Sequence, residues 1–343
     1  MLTALLLKLT RHEDLTSDEA ASAMDLVMSG QATSAQLAAL LVGLSMKGER
    51  PEEIVGLAQT MRRHAVRLSR SFPEAFDTCG TGGDRAGTVN ISSAAALVMA
   101  ACGVTIAKHG NRSVSSRCGS ADVLEALGVT IAAGPEIVER SLVETGIAFL
   151  FAPSFHPSMK HAAATRRELG LRTSFNLLGP LTNPVGPLRQ IAGVPRPELT
   201  ELLARALLML GSERVWVVHG ADGLDEISTT GYTKISEGRD GTVRTFHVHP
   251  SDFGLRRVPL TALAGGTADD NAASLLRLLD GEAGPIRDIV TLNAGAGLFV
   301  AGRAASVREG IAQAVAVLED GRARTVLTRL VSITAQAGAA PGV

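Results

Sequence analysis

The chain has 343 residues, 45% of them hydrophobic and 20% charged, with a formal net charge of −1. That length supports a large core and exceeds one average domain, so one large and one small unit are expected. The near-zero charge and an aromatic content of 3% argue against a broad nucleic-acid surface, which needs a basic excess and rings for base stacking.

The first seventy residues read as helices only. The N-terminal stretch MLTALLLKLTRHEDL has no basic segment before its apolar run and no small-residue cleavage site, so it reads as a helix of the mature protein. Thr16 and Glu19 have capping-box spacing, and Gly30 follows as a stop. Thr33 or Ser34 caps a second helix ended by Gly48, and Pro51 suits the first position of a third. A helical domain is expected over residues 1–70, with an α/β domain over 71–343.

After Phe76 short β-rich runs alternate with helical ones. GVTIAKHG precedes SADVLEALG, VTIAAG precedes PEIVERSLVETG, and IAFLFAP precedes MKHAAATRRELG; RQIAGV, PELTELLARALLML and RVWVVHG continue the pattern. Such alternation predicts a mainly parallel central sheet with helices on both faces. TKISEG and TVRTFHVHP read as antiparallel edge strands, and residues 267–336 as helices. The longest apolar run, residues 94–107, is too short to span a membrane. Cys79, Cys102 and Cys118 lack metal-ligand spacing, and their odd number fits reduced thiols in a cytoplasm. Residues 172–187, with three prolines and no clear period, break the alternation. Phe175, Leu177, Leu178 and Leu181 make this a buried crossing segment at a hinge in preference to a surface loop.

Two segments carry the chemistry: GTGGDRAGTVNISS (80–93) and KHGNRSVSSRCGSAD (108–122). Glycines let main chain approach oxygen atoms closely, and a helix starting after each loop offers unpaired N–H groups to an anion. GTGGD, KHGNR, APSFHP and HGADGLDE all fall at carboxyl ends of strands, where ligands of such sheets bind. A polyphosphate ligand implies a divalent cation, and Mg²⁺ takes carboxylate and phosphate oxygens. Asp225 and Glu226 are its candidate ligands, with the Ser92 hydroxyl; Asp84 reaches metal or ribose, or caps the next helix. Of Arg166 and Arg167, at most one faces the cleft, where it would pair with an anionic second substrate; a surface ion pair with Glu168 is the plainer reading. Of His109, His156 and His219, only His109 is expected to touch ligand.

These blocks, with HPSMKHAAATRRELGLRTSFNLLGPLTNP and VVHGADGLDEIS, resemble in order the signature blocks of the anthranilate phosphoribosyltransferases, over residues 1–336. The resemblance implies a nucleoside phosphorylase-like fold, a homodimer through the helical part, and Mg²⁺-dependent transfer of phosphoribosyl from phosphoribosyl pyrophosphate to anthranilate. By position it assigns Gly80, Gly83, Asp84, Thr88, Asn90, Ile91, Ser92 and Ser93 to phosphoribosyl pyrophosphate. To the same ligand it assigns Lys108, His109, Gly110, Asn111, Arg112, Ser113, Val114, Ser115, Ser116 and Ser120. Ser92, Asp225 and Glu226 go to Mg²⁺; Gly80, Asn111, Arg166 and Gly179 go to anthranilate, with Arg166 near its carboxylate. Lys108 would stabilise the departing pyrophosphate, and His109 is the best candidate should a general base be needed. Val89 and Ser93 stand where Phe and Thr are common, and neither change removes a polar group. DGLDE and RRELG disfavour a pyrimidine nucleoside phosphorylase, and the charge and intact motifs disfavour a nucleic-acid-binding relative.

Overall fold

The computed structural model describes residues 2–113 and 117–336. Four helices open the chain: α1 (Leu2–Thr10), α2 (Ser17–Met28), α3 (Ser34–Lys47) and α4 (Pro51–Arg63). Thr16 and Thr33 each accept the N3 amide and receive the reciprocal Glu19 or Gln36 side chain; the first box is the one expected, and Thr33 rather than Ser34 is the second cap. Gly48 ends α3 at φ 87°, a conformation that favours glycine.

The remainder is a seven-stranded sheet in the order β3-β2-β1-β4-β5-β6-β7. Its strands are β1 (Phe76–Asp77), β2 (Ile106–Gly110), β3 (Ile147–Phe151), β4 (Arg189–Gly193), β5 (Arg214–Gly220), β6 (Thr233–Arg239) and β7 (Thr242–Val248). The first five are parallel; β6 and β7 add antiparallel to the β5 side, as expected for edge strands. The surrounding helices are α5 (Ile91–Ala101), α6 (Ser120–Ala126), α7 (Pro135–Thr145), α8 (Ala152–Phe155) and α9 (Lys160–Leu169). They continue with α10 (Ser174–Leu177), α11 (Leu199–Met209), α12 (Ala268–Leu279), α13 (Pro285–Val300), α14 (Val307–Glu319) and α15 (Arg322–Ala335).

Alternation along each strand sends side chains to opposite faces. Trp216 and Val218 of β5 join the core of α5 and the C-terminal helices. Val215 and Val217 join a second core with α11 and the first four helices. The small helical domain therefore does not close on itself; its apolar interior runs on into one sheet face. Phe175, Leu177, Leu178 and Leu181 of the crossing segment lie in that shared core, at most 5% exposed, as the buried reading expected.

One expected strand is absent. VTIAAG forms a turn between α6 and α7. Val129, Ile131 and Ala133 are buried, so the period of two is real, but the Thr130 amide donates to Thr334 Oγ1 at 3.1 Å rather than to a strand. Conversely β1 has only two residues, too few for any periodicity to show.

Candidate active site

The site sits where β1 ends between β2 and β4, the point at which strand order reverses. The 80–90 loop leaves β1, folds over the strand ends and runs into α5. Gly82 and Gly83 take φ 64° and 86°, as the turn requires. The loop is tied down on two sides: Thr88 pairs with Ala264, and the Thr81 amide donates to the Gly193 carbonyl at 2.9 Å.

The two acids after β5 turn toward this loop together. Asp225 Oδ2 accepts the Gly82 amide at 3.1 Å, and Glu226 Oε1 accepts the Ser92 amide, the second residue of α5, at 3.1 Å. At Gly80 an added Cβ would stand 2.9 Å from Asp225 Oδ2, so glycine there admits the carboxylate. Desolvation raises the Asp225 carboxyl to about 7, aided by repulsion from Asp84; desolvation and then Asp225 raise Glu226 to about 8. Asp84 is raised as well, chiefly by desolvation. Buried carboxyls set this close together would be eased by a cation beside them.

The donors available to that cation are hard oxygens: two carboxylates and the Ser92 hydroxyl, with Asp84 adjacent. Among the described residues no three acidic, His or Cys side chains are grouped so as to hold a metal alone. That fits Mg²⁺, which takes one or two carboxylates and completes its shell with water and substrate phosphate.

Lys108 lies differently from the expectation. It is 3% exposed, and its Nζ turns inward to Thr78 O (3.2 Å), Thr78 Oγ1 (3.1 Å) and Ser92 Oγ (3.4 Å). It is the counter-charge of a buried floor shared with Asp77 and Glu226. Asp77, absent from the sequence-derived set, is raised to about 6 by burial, against the opposing pull of Lys108. It accepts the His109 amide (3.2 Å) and Asn183 Nδ2 (2.8 Å). Asn183 also donates to the Ala107 carbonyl at 2.7 Å, fastening the crossing segment to the floor.

His109 is sealed inside. Its Nδ1 stands 3.0 Å from the Gly179 carbonyl, which fixes that nitrogen as the donor; Nε2 is buried without a partner. Its ring meets His156 edge to face at 5.2 Å between centroids, and His156 Nε2 is likewise buried and unpartnered. Burial lowers His109 to about 3, with help from His156, and lowers His156 to about 4, so both rings are neutral at pH 7. His219 Nδ1 donates to the Val194 carbonyl at 2.9 Å, a structural bond. On the open side of Gly179 an added Cβ would meet nothing within 4 Å.

In the second loop Gly110 and Gly119 are forced by packing: a Cβ would stand 2.4 Å from Ser120 Oγ and from the Ser113 amide nitrogen respectively. Ser120 Oγ donates to the Asn111 carbonyl at 3.3 Å. The Arg112 guanidinium, expected on phosphate, is held on α6 by Glu125 (2.7 Å) and Asp122 (3.0 Å). Asn90 bridges the two loops, donating to the Cys118 carbonyl (3.3 Å) and accepting from Asn271 (2.9 Å). Ile91 is core, and Ser93 Oγ is buried without a partner. Val114, Ser115 and Ser116 lie outside the described residues.

Arg166 is the half-buried one of the arginine pair, stacked over Phe175 with its Cζ 5.3 Å from the ring centre. No ion pair to Arg166 or Arg167 occurs among the described residues, so the Glu168 alternative is not realised. Arg172 was missed altogether. Its Nη2 donates to the Gly82 carbonyl at 2.8 Å, and Gly83 is where a Cβ would collide with its Nη1. Asn183 and Arg172 stand among other polar residues of the crossing segment, and nothing in the sequence singles either out.

Residues 73–324 match the glycosyl transferase family a/b domain, and residues 3–65 match that family's helical bundle domain. The chain is 52% identical to the anthranilate phosphoribosyltransferase of Moorella thermoacetica, covering 97% of this chain and 98% of the relative. Its identity to the Symbiobacterium thermophilum enzyme of the same name is 51%, over 96% and 97% of the two chains. The crystal structure of the Thermus thermophilus anthranilate phosphoribosyltransferase superposes with a TM-score of 0.90 at 47% identity, covering 96% of this chain and 99% of that one. The Saccharomyces cerevisiae enzyme in complex with PRPP and Mg gives 0.90 at 28% identity, covering 98% of each chain.

Proposed function

The chain belongs to the anthranilate phosphoribosyltransferase family, and from that premise we infer how its own residues perform the family's reaction. The enzyme transfers the phosphoribosyl group of phosphoribosyl pyrophosphate to anthranilate, giving N-(5-phosphoribosyl)anthranilate and pyrophosphate, in tryptophan biosynthesis. The observation that carries the site reading is the joint turn of Asp225 and Glu226 onto the glycine loop and the first turn of α5.

Phosphoribosyl pyrophosphate lies along the 80–93 loop, with its phosphates on the amides of Gly82, Gly83 and the start of α5. Residues 108–120 close its other side, Arg112 exchanging Glu125 for phosphate. Asp225, Glu226 and the Ser92 hydroxyl hold Mg²⁺, which supplies charge neutralisation for the pyrophosphate when bound. Lys108 acts from below: it fixes the Ser92 hydroxyl and balances Glu226. Anthranilate occupies the open side of Gly179, its carboxylate on the otherwise unpaired Arg166 and its ring near Asn111.

Cleavage of the ribose C1–O bond gives an oxocarbenium-like sugar and a pyrophosphate anion, and donors already in place favour that charge separation. The aromatic amine is neutral at pH 7, so the protein's task is to align it with C1. His109 serves as a rigid, neutral wall and not as a base; its one donor is already on Gly179. The domains, divided near residue 70 and joined through 172–187, close over both substrates to exclude water. The enzyme works as a cytoplasmic homodimer paired through its helical part.

The test is the fluorescence of anthranilate mixed with phosphoribosyl pyrophosphate, Mg²⁺ and protein. Loss of signal should need all four, and replacing Asp225 and Glu226 together by Ala should lower kcat about 10²-fold or more. Turnover near wild type in that double variant at saturating Mg²⁺ would remove the metal assignment.

A further inference from the structure

The carboxylates of Asp225 and Glu226 both turn into the cleft, onto the Gly82 and Ser92 amides. Something must hold their loop inward. On the entry side Asp222 does so: Oδ1 accepts the Leu224 amide at 3.1 Å, and Oδ2 accepts Ser228 Oγ at 2.6 Å and also Thr230 Oγ1. Immediately after Glu226 the restraint comes from a distant part of the chain. Asn293, in the middle of α13, grips both backbone groups of Ile227: its Oδ1 accepts the Ile227 amide at 3.0 Å, and its Nδ2 donates to the Ile227 carbonyl at 2.9 Å. The same Nδ2 donates to the Ile289 carbonyl one turn earlier at 2.9 Å, which locks the amide's orientation. Asn293 is 5% exposed and Ile227 1%, so no water replaces these bonds.

We propose that Asn293 is a positioning residue for the acidic pair, holding Glu226 and Asp225 at the separation and direction a cation–pyrophosphate ligand needs. It touches neither ligand nor carboxylate; it fixes the peptide on which Glu226 turns. A planar amide suits this work because one end donates while the other accepts, matching the carbonyl and the amide of a single residue. The helix supplies stiffness, since α13 is packed against α5, whose first turn carries Ser92. The proposal rests on the reading of Asp225 and Glu226 given above.

The experiment measures the rise in melting temperature produced by phosphoribosyl pyrophosphate as Mg²⁺ is titrated, alongside kcat and both KM values. Wild type, Asn293→Ala, Asn293→Asp and Leu298→Ala are compared; Leu298, buried in the same helix, takes no part in the hydrogen bonds between Asn293 and Ile227, so Leu298→Ala opens a cavity and removes none of them. Asn293→Ala should raise the Mg²⁺ concentration for half-maximal stabilisation by about 10-fold or more, as loss of an outer support does at metal sites. It should lower kcat and leave the KM for anthranilate within about threefold, on the view that Arg166 is untouched. Should Asn293→Ala not fold, Asn293→Asp keeps the acceptor for the Ile227 amide and loses both donated bonds, and must shift the Mg²⁺ midpoint in the same direction. Leu298→Ala should lower the melting temperature with an unchanged midpoint. An Asn293 variant that behaves like Leu298→Ala overturns the positioning role. A wild type lacking any Mg²⁺-dependent stabilisation overturns the metal reading itself, a distinguishable failure.

Discussion

Gly193 ends β4 directly beneath the acidic loop. An added Cβ would stand 1.6 Å from the Asp225 carbonyl oxygen and 2.5 Å from its carbon. Real Cβ atoms essentially never come within 3.0 Å, so Gly193→Ala must push the Asp225 peptide away by about 1.4 Å. Gly193 has no positive φ, so alanine suits the local backbone and the cost falls on the contact. Neither side yields easily: β4 is paired to β5 throughout, and the acidic loop is held by Asp222 and Asn293. A misplacement of about 1 Å in a positioned group costs about 10²-fold in rate, or about 2.7 kcal/mol of transition-state stabilisation. The assay is steady-state loss of anthranilate fluorescence at varied phosphoribosyl pyrophosphate and Mg²⁺, with circular dichroism to confirm the fold. The deficit should lie in kcat and in the KM for phosphoribosyl pyrophosphate, with that for anthranilate little changed. A folded Gly193→Ala enzyme within threefold of wild type in kcat/KM would refute the claim that this contact sets the place of Asp225.

Arg166→Ala should raise the KM for anthranilate by about 10- to 100-fold, the worth of a charge-assisted hydrogen bond, and leave that for phosphoribosyl pyrophosphate nearly unchanged; equal shifts in both would contradict its assignment. Lys108→Met strips the counter-charge from Asp77 and Glu226 and should cost about 3–5 kcal/mol of stability in urea denaturation; an unchanged midpoint would mean the floor does not depend on that charge. His156, with its folded pKa depressed to about 4, contributes stability that is complete above the unfolded value of about 6.5 and is lost as pH falls. Between pH 6.5 and 5 wild type should therefore lose about 2 kcal/mol relative to His156→Asn. The buried carboxyls with raised pKa values act in the opposite sense but cancel in that difference, and a pH-independent gap would refute the neutral, sealed ring.

The readable parts of the sequence were those with local causes. The capping box at Thr16, the buried crossing segment, the antiparallel edge and the acidic pair at a strand end each follow from residues close together in the chain. What the sequence left unread has non-local causes. Val129, Ile131 and Ala133 alternate like a strand, yet the Thr130 amide goes to a hydroxyl 204 residues away. Lys108 belongs to a basic stretch of sequence but lies in β2, its charge turned inward to Asp77 and Glu226. Arg112 is drawn outward by Asp122 and Glu125. Spacing marks which residues belong to a site; which way a charge faces depends on partners that only the fold brings near. For Asn293 and Arg172 the local pattern is that of any helix or hinge.

The shortness of β1 has a consequence for depth. β2 and β4 run on three residues past the end of β1, about 10 Å at roughly 3.3 Å per residue, and residues 78–81 continue between them without ladder pairing. Two strand edges thus face each other inside the sheet, each with peptide groups that a longer β1 would have paired. Substitutes cover them one at a time: the Asp77 carboxylate for the His109 amide, Asn183 for the Ala107 carbonyl and the Thr81 amide for the Gly193 carbonyl. The protein has exchanged ladder bonds for a segment free to change course, held between two strands by a handful of side-chain and loop bonds. The glycine loop therefore starts from the interior of the sheet rather than from its rim, and its anchorage comes from the fold itself.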